Sequence, residues 1–169
     1  MHKIGLGGSC HWCTEAIFNS LKGVIQVEQG WLASNGVFDT FSEGIIVTFD
    51  TDVIDLKTLI KIHLHTHSCT KNHSMRTKYR SAIYTFDRED FKSSELILKE
   101  LQIDFEQDII TQVLAFKKFK LNIEDQLNYY YKNPEKPFCE TFINPKLQYI
   151  LAKFSNQVDT EKLHHLKKH

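Results

Sequence analysis

The chain has 169 residues, and its 21 lysines and arginines balance its 21 aspartates and glutamates, so the formal charge is zero at pH 7 with histidine neutral. That balance excludes the broad basic surface with which proteins neutralise nucleic-acid phosphates, and it supplies no long-range attraction to an anionic membrane. With 41% hydrophobic and 25% charged residues and only 7 Gly and 3 Pro, the composition fits one globular domain with its own core.

Taken in chain order, residues 3–7 predict a short strand ending in glycines. Residues 13–21 predict a helix, with Ala16, Ile17 and Leu21 on one side and Gly23 just past its end. Residues 24–31 alternate as a strand, residues 32–42 form a loop around Ser34-Asn35-Gly36, and residues 44–49 are a β-branched run. Residues 56–65 carry Leu56, Leu59, Ile60, His63 and Leu64 at helical spacing. A polar, irregular stretch over 67–78 precedes a strand over 80–86. Asp87 then reads as the N-cap of a helix whose apolar face is Phe91, Leu98, Leu101 and Phe105. Residues 109–116 predict a further strand and residues 123–131 a short helix. Residues 132–145 hold all three prolines and read as a loop, and residues 146–154 predict the last helix. The order implies an α+β single domain over residues 1–154, a two-layer sandwich with one mixed, mainly antiparallel sheet and flanking helices. The polar tail, residues 155–169, is expected to be mobile.

No apolar run approaches the ~18 residues of a membrane span. Residues 1–13 lack the basic region and long apolar run of a signal peptide, so the expected compartment is the cytoplasm, where thiols stay reduced. Four cysteines there, Cys10, Cys13, Cys69 and Cys139, point to reactivity or metal binding rather than to a disulfide framework.

The most informative segment is Gly7-Gly8-Ser9-Cys10-His11-Trp12-Cys13-Thr14-Glu15, placed between a strand and a helix. Glycines permit a tight turn, and the first turn of a helix offers unpaired N–H groups and a positive dipole end. A cysteine there is favoured as the reactive thiolate, which makes Cys10 a candidate nucleophile. The same residues also read as two small buried thiols, or as a Cys-x-x-Cys redox pair. Alternation of His63, His65, His67 and Cys69 would put four ligands on one strand face and, with Cys10 and Cys13, could make a zinc set, although the spacing matches no closed zinc-finger pattern.

Residues 8–16, Gly-Ser-Cys-His-Trp-Cys-Thr-Glu-Ala, resemble the signature of the peptide-methionine (S)-S-oxide reductases, the A-type methionine sulfoxide reductases. The likeness continues in Leu21-Lys22-Gly23-Val24, Glu43 to Asp50, Lys78-Tyr79-Arg80-Ser81-Ala82-Ile83-Tyr84, Tyr130 to Pro134, Pro137-Phe138-Cys139 and Ile143 to Leu147, all in order over about residues 3–154. The resemblance implies that Cys10 attacks the sulfoxide sulfur, that Glu43 supplies the proton the oxygen must gain, and that Tyr79 hydrogen-bonds that oxygen. Burial of Glu43 would raise its pKa and keep a proton available. Trp12 would hold the substrate methyl group. Departure of methionine would leave a sulfenic acid on Cys10, which Cys139, in its flexible-looking loop, would close to a disulfide. Cys13 is the nearer thiol in sequence. Oxidised methionine or oxidised proteins are the implied substrate, thioredoxin the implied reductant, and no cofactor or metal is implied.

The sequence also departs from the family. His11 stands where phenylalanine is usual, giving the methyl pocket a more polar, pH-sensitive wall. The loop over 32–42 is short, and a second sulfoxide-binding tyrosine has no match in it. Ser74 replaces an aspartate and Gln126 a histidine. These changes leave open a divergent thiol sensor or binding protein on the same scaffold.

Overall fold

A computed structural model describes residues 1–168. The elements run β1 (His2–Gly7), α1 (His11–Asn19), β2 (Val24–Ala33), β3 (Ser42–Phe49), α2 (Leu56–His65), β4 (Ala82–Thr85), α3 (Arg88–Leu101), β5 (Gln112–Ala115), β6 (Lys118–Leu121), a four-residue α4 (Tyr129–Lys132), a π-helical turn (Cys139–Ile143) and α5 (Asn144–Lys153). One six-stranded sheet has the order β5-β4-β1-β3-β2-β6. Four of its five pairings are antiparallel, and β4 with β5 is parallel. The expected α+β architecture is the one observed.

Strand β3 is buried at every position, so both of its faces must be covered. Ile45, Val47 and Phe49 join Ile4, Leu6 and Ile83 under the helices, with Ala16, Ile17 and Phe18 of α1, Ile60 and Leu64 of α2, and Leu147 and Ile150 of α5. Ile46 faces the other way and packs with Leu32, Ala82 and Tyr84 in a smaller cluster. Each fully buried Leu, Ile or Phe contributes roughly 1.5–3 kcal/mol relative to exposure, so the helical face carries most of the hydrophobic stabilisation. Helix starts follow the expected chemistry. Asp55 accepts the Thr58 N–H at 2.8 Å before α2, and Asp87 accepts the Asp90 N–H at 2.8 Å before α3.

Three expectations are corrected. Residues 123–131 are not one helix: a strand, β6, precedes them, and only a 3₁₀ turn and α4 follow. That strand is short, charged and mostly exposed, so it shows little apolar alternation. It pairs with β2 because Gly30 leaves room; a Cβ there would lie 2.0 Å from the Lys120 carbonyl oxygen. The proline-rich loop over 132–145 contains the π-helical turn, with Cys139 and Ile143 fully buried. The segment after Ser155 is not a loose tail. Val158 and Leu163 are fully buried and Leu166 nearly so, Val158 bridges to Leu21, and the Asp159 N–H donates to the Ser20 carbonyl at 2.7 Å. Three apolar residues widely spaced among polar ones carry no periodic signal, yet each finds a place against α1 or the core.

Candidate active site

Strand β1 delivers the chain into a turn that only glycine fits at position 8. Gly8 has φ +151°, and a Cβ would lie 2.5 Å from the His67 ring. Cys10 follows as the residue capping α1, with φ −52° and ψ 131°. The first N–H groups of that helix need acceptors, and the site supplies them. The His11 N–H donates to Glu43 Oε1 at 3.2 Å, while the N–H groups of Trp12 and Cys13 lie against the Cys10 sulfur.

The Cys10 thiol is held below its ordinary range. The largest cause is a hydrogen bond from the Cys13 thiol; the Trp12 and Cys13 N–H groups act in the same direction, while burial and the charge of Glu43 oppose them. By donating that bond Cys13 is itself driven far upward, and burial adds to the effect. Burial pushes Cys69 up to about 11 and also raises Cys139. Cys10 is thus the one cysteine of the four held toward the thiolate.

Glu43 is 6% exposed, the second residue of β3. Besides the His11 N–H, its carboxyl meets His11 Nε2 at 3.4 Å and Lys78 Nζ at 3.6 Å. Cys10, Cys13, Tyr79, Arg76, Phe138 and Lys146 line an open cleft of about 680 Å³. Tyr79 sits half-buried just after a 3₁₀ turn (Ser74–Thr77). Arg76 of that turn donates to the carbonyls of Gly8 at 2.9 Å and Tyr79 at 3.0 Å, and also to those of Ser68 and Lys71. It thereby ties the cysteine turn to the tyrosine turn. Nothing in the polar run 67–78 marks Arg76 for this work, because the Gly8 carbonyl it holds lies 68 residues away in the chain.

Trp12 does not line that cleft. Its ring stacks on Tyr129 at 3.9 Å and 5°, with Phe138 edge-on at 5.4 Å, and its Nε1 has no partner among the described residues. Buried Glu15 of α1 sets this arrangement by accepting the N–H groups of Asn128 at 2.9 Å and Tyr129 at 3.3 Å, and the Gln29 side-chain amide at 3.0 Å. Asn128 takes the left-handed conformation, φ +54°, to turn Tyr129 over Trp12. Tyr129 thus brings a tyrosine beside the expected methyl-binding indole from a distant segment rather than from the short loop over 32–42. His11, expected as a pocket wall, is 5% exposed and turned inward: its ring lies edge-on to Trp31 and its Nδ1 is 2.9 Å from the Gly30 carbonyl. Cys139 lies outside the cleft lining, inside the core.

The alternating histidines do not share a strand face, since residues 56–65 are helical. His63 Nε2 donates to the Gly7 carbonyl at 2.8 Å, and His67 Nδ1 donates to the His63 carbonyl at 2.5 Å while its Nε2 meets the Ser81 hydroxyl at 2.7 Å. Both rings brace the cysteine turn.

A thiol held toward the thiolate at a helix start, with a buried carboxyl against the same helix end, defines a thiol-dependent oxidoreductase on an α+β scaffold. The family model for peptide methionine sulfoxide reductase matches residues 2–159, and the chain belongs to that family. A peptide methionine sulfoxide reductase MsrA of Trichodesmium erythraeum is 32% identical, covering 94% of this chain and 98% of its own. Among solved structures, Mxr1 from Saccharomyces cerevisiae in reduced form superposes with a TM-score of 0.73 at 23% identity, over 83% of this chain and 90% of that one. Mxr1 in complex with Trx2 gives a TM-score of 0.60 at 22% identity, over 73% and 81%.

Proposed function

We propose that this chain reduces the S epimer of methionine sulfoxide, free or in oxidised proteins, to methionine through Cys10. The observation that carries the reading is the Cys10 sulfur at the start of α1, accepting from the Cys13 thiol and two backbone N–H groups, at a helix end whose His11 N–H donates to the buried Glu43 carboxyl. In this reading the Cys10 thiolate attacks the sulfoxide sulfur and Glu43 gives a proton to the oxygen. As the S–O bond breaks, the hydroxyl passes to Cys10. The sulfoxide sulfur gains two electrons, Cys10 loses two and becomes a sulfenic acid, and one proton is consumed. Tyr79, on the cleft wall, hydrogen-bonds the oxygen, and Trp12, behind the cleft-lining Phe138, is assigned the methyl group.

A second thiol then attacks the Cys10 sulfenic acid, forming a disulfide and releasing water. We assign Cys139 to this step on its place in a five-residue π-helical turn, a rare winding that is frequent at functional sites. Cys13 is the second reading, favoured by its hydrogen bond to the Cys10 sulfur. A thioredoxin, the kind of partner with which Mxr1 was solved, restores the dithiol. In this reading the reaction takes place in the cytoplasm, where free thiols such as these four stay reduced.

The test is turnover of the separated sulfoxide epimers with dithiothreitol. Reduction of the S epimer alone, abolished in Cys10→Ser, is expected. No S-epimer turnover by pure wild type, or full activity in Cys10→Ser, overturns the reading. Peptide mass spectrometry after one turnover without reductant is expected to find a Cys10–Cys139 disulfide; a Cys10–Cys13 bond selects the second reading.

A further inference from the structure

His11 faces two acceptors. On one side its Nδ1 lies 2.9 Å from the Gly30 carbonyl oxygen, which can only accept, so Nδ1 carries a hydrogen. On the other side Nε2 lies 3.4 Å from Glu43 Oε1, and both groups are less than a tenth exposed. A neutral imidazole with its hydrogen on Nδ1 presents a bare lone pair at Nε2. Against an ionised carboxylate, whose Oε1 already accepts the His11 backbone N–H at 3.2 Å, the bare Nε2 lone pair would face a second buried acceptor with no hydrogen between them, which is costly away from water. The contact is satisfied only when one proton resides on the pair, on His11 Nε2 or on Glu43. The reaction consumes one proton for each sulfenic acid formed.

We propose that His11 is a positioning residue that stores this proton for Glu43, so that the imidazole and the carboxyl act as one acid. The proposal rests on the reading of Glu43 as the proton donor to the sulfoxide oxygen. As Glu43 gives a proton to the sulfoxide oxygen, the single proton held on Nε2 crosses to Oε1 to supply it, and His11 is left neutral with Nδ1 still bound to Gly30. The 3.4 Å separation is slightly long for a hydrogen bond, as is common in catalytic pairs before substrate arrives. Recharging comes from solvent. The surroundings of the pair are defined on every side. Strand β2 offers the Gly30 carbonyl and the Trp31 ring, whose far partner is Lys120 of β6 at 5.6 Å. Strand β3 offers Glu43, and half-exposed Lys78 reaches Glu43 Oε2 at 3.6 Å. Helix α1 itself carries Cys10 and the buried Glu15 carboxyl, which senses the charge of His11. Two carboxyls and two lysines therefore surround the imidazole; Lys78 stands on the far oxygen of Glu43 and Lys120 on the Trp31 ring, neither on the imidazole itself.

The experiment compares kcat/KM against pH for wild type, His11→Phe and His11→Gln, with folding checked by thermal melting. In wild type the alkaline limb reports loss of the proton from the pair. Phenylalanine leaves the carboxyl alone, and glutamine can bridge Gly30 and Glu43 but holds no titratable proton. In both variants the alkaline limb is expected to move to lower pH, because neither side chain can hold the stored proton. At pH 8 this reads as at least a tenfold fall in kcat/KM, with KM little changed. Folded variants whose profiles overlay that of wild type overturn the proposal. Nitrogen NMR of wild type supplies a second readout that needs no variant. Nδ1 is expected to stay protonated while Nε2 titrates, and a neutral ring with its hydrogen on Nε2 overturns the proposal. Wild type without sulfoxide turnover at any pH sinks the parent reading instead, and the tautomer result stands apart from it.

Discussion

Cys13 governs the acidity of Cys10 more than any other neighbour does. A thiol is a weak donor, but it points at a sulfur that is mostly shielded from water, where even weak donors matter. The peptide N–H groups of Trp12 and Cys13 would remain in Cys13→Ala, so part of the effect survives. The expected outcome is an upward move of Cys10 toward ordinary thiol values. It is read as a higher midpoint in the pH dependence of its alkylation by iodoacetamide, with several-fold slower alkylation at pH 7. An unchanged midpoint would show that the helix start alone holds the thiolate.

At the scale of elements, α2 is the brace of the cysteine turn. His63 holds the Gly7 carbonyl and is fully buried, and burial brings it from the ordinary 6.5 down to about 4. His67 lies against Gly8 and is likewise pushed well down by burial. The linkage has a definite sign. Between pH 4 and 6.5 the unfolded chain binds a proton at His63 that the folded chain refuses. Stability is therefore full above pH 6.5 and is lost as the pH falls toward 4. For His63 alone the loss is about 3 kcal/mol over that window, taking 1.36 kcal/mol per pKa unit. Urea midpoints measured from pH 7.5 to 4 are expected to fall steeply below 6.5, and more shallowly in His63→Gln. A flat wild-type curve over that range is incompatible with a buried neutral His63.

For the whole molecule, the segment beyond residue 154 belongs to the core. Lys22 N–H donates to the Gln157 carbonyl at 2.7 Å, and the Tyr130 hydroxyl joins Asn144 and His165 at 2.5 Å each. Removing residues 155–169 would uncover Leu21 and forfeit the burial of Val158, Leu163 and Leu166. At roughly 1.5–3 kcal/mol for each buried aliphatic side chain, the truncated chain should lose several kcal/mol, much of a domain's usual margin. Leu163→Ala alone is expected to cost about 2–5 kcal/mol. Thermal melting of the 1–154 chain tests this: a midpoint equal to the full chain's would restore the division into a domain and a dispensable tail.

Much of the molecule is legible in the residue order because its signals are local. The strand–glycine–cysteine–helix run, the caps Asp55 and Asp87, the amphipathic face of α2 and the β-branched run of β3 each depend on neighbours within a few residues. Collinear motifs identified the family for the same reason, since Cys10, Glu43 and Tyr79 each sit in a recognisable stretch. What the order of residues does not contain is which distant groups meet. The opposition of His11 to Glu43 and Gly30 requires two strands and a helix to be assembled first. Arg76 finds the Gly8 carbonyl 68 residues away, Tyr129 reaches Trp12 only through the Glu15 clamp, and the burial of Cys139 turns a supposed loop into core. Hydrogen bonds and burial of this kind are long-range, and their energies exist only once loop-closure entropy has been overcome by the packed sheet and helices. The sequence by itself therefore determined the family, the α+β class and the candidate nucleophile. Only the tertiary structure decided the partner that His11 meets and the fate of the last fifteen residues' apolar side chains, because those depend on contacts across the fold rather than along the chain.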